Sequence, residues 1–164
     1  MILSELQPDE CRQLKRFFPH DKQIGIHCQD AYLSLKAFLP PKEKRGFVLI
    51  DPPYEKPDEF DQLKKALPAA IQQWETGTFA LWYPIKNRSM TDRFISSLKD
   101  KISLPILIAE LSVYPEDNIQ SLNGSGMFIV NPPWQLDEEL KTVLPWLWKT
   151  LSVNKSGKYN LNLM

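Results

Sequence analysis

Gly46-Phe47-Val48-Leu49-Ile50-Asp51-Pro52-Pro53-Tyr54-Glu55 joins four consecutive apolar residues to a carboxylate, two prolines and an aromatic ring. The apolar run has strand length and reads as a strand buried on both faces, the kind found in parallel sheets covered by helices. The prolines end it. Similar runs recur at residues 1–5, 24–28, 78–83, 106–113 and 126–130, separated by segments of helical period. This alternation predicts an α/β sheet rather than a bundle or a sandwich.

The intervening segments carry helix signals. Pro8 followed by Asp9 and Glu10 suits a first helical turn, and Cys11, Leu14 and Phe18 then share one face up to the stop at Pro19. Phe60, Leu63, Leu67, Ile71 and Trp74 recur at intervals of three and four, with Asp58 as the expected N-cap. Pro68 interrupts that pattern, and a proline inside a helix costs about 3 kcal/mol, so a kink or two short helices is expected there. Phe94 and Leu98 mark another inner face; Leu140, Leu144 and Leu147 mark the last. The tail from Ser152 reads as a frayed or edge segment.

Residues 114–125 show no helical period. A parallel crossover normally needs a helix, so this connection predicts an antiparallel return. The expected fold is a Rossmann-like α/β domain over residues 1–164, its sheet mostly parallel with an antiparallel last strand.

Twenty basic and twenty acidic side chains cancel, so any nucleic-acid partner must be met by a local patch rather than a global field. No stretch approaches the roughly 18 apolar residues of a membrane span, and residues 1–5 lack a basic leader. Cys11 and Cys28 are isolated, with two histidines in the whole chain, which disfavours a zinc site and a disulfide framework. A reducing cytoplasm is the expected compartment, and no metal is called for.

Ligands of open α/β sheets bind at the carboxyl ends of the strands, where Asp51-Pro52-Pro53-Tyr54 falls. The exocyclic amine of adenine is a poor nucleophile because its lone pair is delocalised into the ring. Acceptors bonded to its hydrogens localise that pair, and Asp51 and the Pro52 carbonyl can be those acceptors. Pro52 and Pro53 hold φ near −65° and aim them, while Tyr54 can stack on a flipped or single-stranded base. The bland reading is a turn after a strand. Phe128-Ile129-Val130 leads into a second such loop, Asn131-Pro132-Pro133-Trp134. If its strand is reversed, it lies at the opposite sheet edge; Asn131 is then structural, and Trp134 packs beneath the last helix.

Lys86 and Arg88 follow the strand at 78–83 and are candidate RNA-phosphate contacts, plain surface charge being the alternative. Lys42, Lys44 and Arg45, before the strand at 47–50, read as a solvated loop.

The runs Gly46 to Glu55, Thr76 to Pro84, Gly126 to Trp134 and Leu144-Pro145-Trp146-Leu147, in that order, resemble the RlmJ family of 23S ribosomal RNA adenine-N6 methyltransferases. The resemblance covers essentially the whole chain. It implies S-adenosylmethionine as cofactor, Asp51, Pro52, Pro53 and Tyr54 as the catalytic loop, and 23S rRNA, protein-free or partly assembled, as partner. It also implies that Glu5 binds the cofactor ribose and that Asp30 and Ala31 contact its adenine, although either acid could be an ordinary helix cap. The family carries an N-terminal part with a glycine-rich cofactor loop that these residues lack. An open slot in mid-sheet and weak or absent S-adenosylmethionine binding are expected of the isolated chain. A DNA adenine methyltransferase, or a non-enzymatic role in the use of external DNA, are the alternative readings.

Overall fold

Strand-to-helix passages recur along the chain and turn the alternation into structure. The computed structural model describes residues 1–115 and 122–164, so part of the 114–125 connection lies outside the described residues. Contacts divide the chain into two units, Met1–Lys42 and Glu43–Met164.

The first unit contains strand β1 (Ile2–Ser4), helix α1 (Pro8–Phe17), strand β2 (Gly25–His27) and helix α2 (Ala31–Phe38). β1 and β2 pair in parallel, Ile2 opposite Gly25 and Ser4 opposite His27. Pro8 stands at the first helical position, where its missing N–H costs nothing, with Asp9 and Glu10 in the first turn. Cys11 is fully buried and joined to Cys28 in a disulfide, with the two Cα atoms 5.6 Å apart. This corrects the expectation drawn from their isolation. The β–α–β path folds the start of α1 back beside the end of β2, a proximity that a sequence separation of 17 does not reveal.

The second unit holds β3 (Phe47–Ile50), α3 (Glu59–Gln73), β4 (Thr78–Ile85), α4 (Arg88–Lys99), β5 (Ile106–Ser112), β6 (Gly124–Val130), α5 (Leu136–Leu151) and β7 (Lys158–Leu163). Their sheet runs in the order β3-β4-β6-β5-β7. β3 is parallel to β4, and β6 lies antiparallel between β4 and β5, the reversed return that the 114–125 segment predicts. The tail adds a second reversed strand, β7 against β5, which makes the sheet mixed.

Phe79, Leu81, Phe128 and Val130 are fully buried, as are Leu63 and Leu67 of α3 and Leu98 of α4. Each such side chain contributes about 1.5–3 kcal/mol relative to exposure. The Phe79 ring meets Trp74 at the end of α3, and the Tyr83 ring meets Phe94 of α4. On the other face Ala80, Leu107 and Ile129 form a cluster with Leu136 and Leu140 of α5.

α3 runs through Pro68 as one helix. Proline has no N–H for the carbonyl four residues back, which belongs to Lys64. Lys101 Nζ donates to that oxygen at 3.0 Å, so the vacant acceptor is satisfied from outside the helix. Asp58 stands at the N-cap position without a side-chain capping bond; its Oδ2 accepts from Gln62 instead.

β3 departs from the reading of a strand buried on both faces. Phe47 and Leu49 are 62% and 61% exposed. β3 is the last strand at its side of the sheet. Among the described residues no helix is long and apolar enough to cross a membrane.

Candidate active site

Beyond the last β3–β4 pair, Ile50 opposite Leu81, strand β4 continues four residues to Ile85. Its margin on the β3 side is therefore left without a neighbouring strand. The loop after β3 closes part of that margin. Tyr54 takes a left-handed backbone (φ 53°), and its hydroxyl donates to the Trp82 carbonyl at 2.5 Å. The Tyr54 ring also lies 5.4 Å from Phe60 and 5.7 Å from Trp82, centroid to centroid. Between these anchors and the end of β3, Asp51 is exposed and Pro52 half-buried. The loop thus presents a carboxylate at the carboxyl end of a strand, with a rigid ring three residues on, at most about 11 Å away along the chain.

The second proline loop is different in kind. Asn131 Nδ2 donates to the carbonyls of Glu75 and Gly77 at 2.7 and 2.9 Å, and Thr78 Oγ1 donates to the Asn131 carbonyl at 2.9 Å. These partners stand at the start of β4, whereas Asp51 follows the strand residue opposite Leu81. The loops lie at opposite edges of the sheet, as the reversal of β6 requires, and the Asn131 side chain is committed to the carbonyls of Glu75 and Gly77. Trp134 does not pack beneath α5: it is 87% exposed, because the left-handed backbone at Asn131 and Gln135 turns the intervening residues outward.

A family model described as ribosomal RNA large subunit methyltransferase D, RlmJ, matches residues 1–164. The chain belongs to this family. It is 39% identical over 160 residues to the ribosomal RNA large subunit methyltransferase J of Haemophilus influenzae, covering 98% of this chain and 57% of that protein. The Escherichia coli protein of the same name is 36% identical over 149 residues, with 91% and 53% covered. A crystal structure of a Legionella pneumophila protein superposes with a TM-score of 0.88 at 32% identity, covering 98% of this chain and 59% of that one. The chain spans about half the length of the curated relatives it matches. Membership in a methyltransferase family implies a methyl donor.

In the first unit, Glu5 and Asp30 follow the carboxyl ends of the parallel strands β1 and β2. Glu5 Oε1 accepts from Gln7 N at 2.7 Å. Asp30 caps α2, its Oδ1 accepting from Tyr32 N at 2.7 Å and Leu33 N at 3.2 Å. The capping role anticipated for Asp30 is therefore present. Each carboxylate keeps a second oxygen that accepts from no described residue, so cap and ligand are compatible roles. Ala31 begins α2 beside Asp30.

Lys86 and Arg88 part company. Lys86 is exposed and, with Tyr54, lines a cleft of about 250 Å³. Arg88 instead turns to Glu110 of β5, reaching both carboxylate oxygens at 3.0 Å, and to Asp92 Oδ1, which accepts from Nε at 2.7 Å. Burial alone would lower its pKa, but the bonds to Asp92 and Glu110 hold it above the ordinary guanidinium value. Sequence reading missed Glu110 and Tyr83, whose hydroxyl donates to Glu110 Oε1 at 2.8 Å. The available signal was a single carboxylate inside an otherwise apolar strand. Asn87, which also lines the Tyr54 cleft, was missed as well, although an Asn just before a helical pattern is a cap signature.

Proposed function

We propose that this chain carries the target-amine machinery of an S-adenosylmethionine-dependent methyltransferase acting on N6 of an adenine in 23S rRNA, within one catalytic domain that includes residues 1–164. The observation that carries this reading is the Asp51–Tyr54 loop, pinned through the Tyr54–Trp82 bond at the carboxyl end of β3 in a chain of this family.

S-adenosylmethionine, when bound, supplies an electrophilic methyl carbon on a sulfonium. Glu5 would hold its ribose hydroxyls through the oxygen not engaged by Gln7, and Asp30 with Ala31 would meet its adenine; the free carboxylate oxygens suit both tasks. Asp51 and the Pro52 carbonyl accept the hydrogens of the target amine and localise its lone pair. Asp51 would stabilise the positive charge that grows on the amine nitrogen when the methyl group is transferred to it. The surplus amine proton then passes to Asp51 or to water. Pro53 stiffens the turn, and Tyr54 stacks on the extruded base. Lys86 contacts RNA phosphate; Arg88, gripped by Glu110, shapes the backbone that presents Lys86. The partner is 23S rRNA, protein-free or partly assembled, in the cytoplasm. The names of the relatives lend no support to the DNA-directed alternatives.

The test is Asp51→Ala in the intact natural protein, with methyl incorporation into 23S rRNA as the readout. A loss of roughly 100-fold or more with RNA binding retained is expected. An unaltered rate would refute the assignment.

A further inference from the structure

The cleft beside Tyr54 does not include Asp51. An occupant of the cleft meets Tyr54 without meeting Asp51, so it sits beside the base whose amine is methylated and shares the tyrosine with it. Tyr54 stands three positions after Asp51, a span of at most about 11 Å, so the cleft lies within a nucleotide or two of the target position. Its walls are Tyr54 and Pro57 from the loop after β3, Phe60 of α3, Pro84 of β4 and Met90 of α4. Lys56 and Lys86 are balanced in the lining by Glu55 and Glu59. Two lysines against two glutamates leave the lining without net charge, so a base rather than its phosphate suits the cleft, and Lys86 is left to the phosphate of the same nucleotide. Flat apolar walls and a neutral sum suit a planar, uncharged heterocycle.

One polar group in the lining has a fixed sense. Asn87 Oδ1 accepts from Met90 N at 3.1 Å as the N-cap of α4, so the amide cannot turn over without setting its NH2 against that backbone N–H. Nδ2 is thereby the half left to face other partners, and it donates to no described residue. Asn87 lines the cleft, so its uncommitted donor is available to an acceptor on a base seated there.

We infer that this cleft binds the base of the unpaired RNA nucleotide adjacent to the target adenine, between Tyr54, Phe60 and Met90, and that Asn87 reads an acceptor on that base's edge. The inference rests on the proposed methyl transfer to RNA. It makes Asn87 a specificity-determining residue outside the reacting loop.

The test uses the intact natural protein and short single-stranded oligoribonucleotides containing the target adenosine, with an abasic residue placed on one side or the other. Removing the neighbouring base on one side should raise KM roughly tenfold with kcat little changed, the effect of losing one stacked base. Asn87→Asp keeps the capping acceptor and removes the donor, so it should preserve stability while raising KM for the intact oligonucleotide roughly tenfold. On the abasic substrate that variant and the parent should be alike. The inference falls if neither abasic substitution alters KM, or if Asn87→Asp weakens the intact and abasic substrates equally. Asp51→Ala serves as the separate control: methyl transfer that survived it would overturn the catalytic reading, whatever happens at Asn87.

Discussion

Arg88 grips both oxygens of the buried Glu110 carboxylate, Nη1 to Oε2 and Nη2 to Oε1, each at 3.0 Å. The same carboxylate accepts from the Tyr83 hydroxyl and from Asn160 Nδ2, so β4, β5, β7 and α4 meet at one charge. Glu110→Ala would strand the guanidinium and the buried hydroxyl together. A loss of about 3 kcal/mol is expected in urea unfolding. Glu110→Gln, which keeps an acceptor for Tyr83, should cost about half as much. Equal stability of the alanine variant and the parent would mean that the network is incidental.

Tyr83 supplies a pH signature. Burial first, then the adjacent Glu110 charge, pushes its pKa far above the ordinary value of 10.0. The folded state thus favours the protonated phenol. That stability is fully present below about pH 10 and is lost as rising pH ionises the phenol in the unfolded chain. The parent should therefore lose stability more steeply than Tyr83→Phe between about pH 10 and 11.5, followed by thermal unfolding. Parallel profiles would show that the phenol is not held neutral.

Gly126 makes the Tyr83–Glu110 bond possible. It faces Tyr83 on one side and Glu110 on the other, in the strand between theirs. A Cβ at this position would collide with the Tyr83 ring and hydroxyl. Gly126→Ala should cost at least about 2 kcal/mol through overpacking and the displaced bond. In a double-mutant cycle, adding it to Tyr83→Ala should cost little more, since the ring it strikes is gone. Additive losses in urea unfolding would contradict this account.

The two proline loops should separate function from stability. Asn131→Ala leaves the Glu75 and Gly77 carbonyls without their donor. It should lower stability by roughly 1–2 kcal/mol while methyl transfer by the folded protein stays near normal. A collapse of activity in a still-folded Asn131→Ala protein would return that loop to the active site.

Much of this was legible because strands and loops announce themselves locally. Four apolar residues before Asp51 and the two prolines after it already specify a strand that stops at a carboxylate. The lack of helical period over 114–125 already requires a reversed β6, and with it the separation of Asp51 from Asn131. Relations between distant residues left no such local mark. Pairing of Cys11 with Cys28 depends on how α1 folds back on β2. Continuity of α3 through Pro68 depends on an amine 37 residues from Lys64. Trp134 looks apolar in sequence, but backbone reversal at its flanks faces it outward.

Arg88 gives the sharpest contrast. In sequence it is one more basic residue beside Lys86, and charge alone assigns both to RNA. A buried carboxylate on β5 claims it, and only the strand order β4-β6-β5 brings that carboxylate within reach. Local pattern settles which residues make strands, helices and the reacting loop, because those depend on near neighbours in the chain. Partners that meet across a sheet depend on strand order and on the small residue between them, and these exist only once the chain has folded.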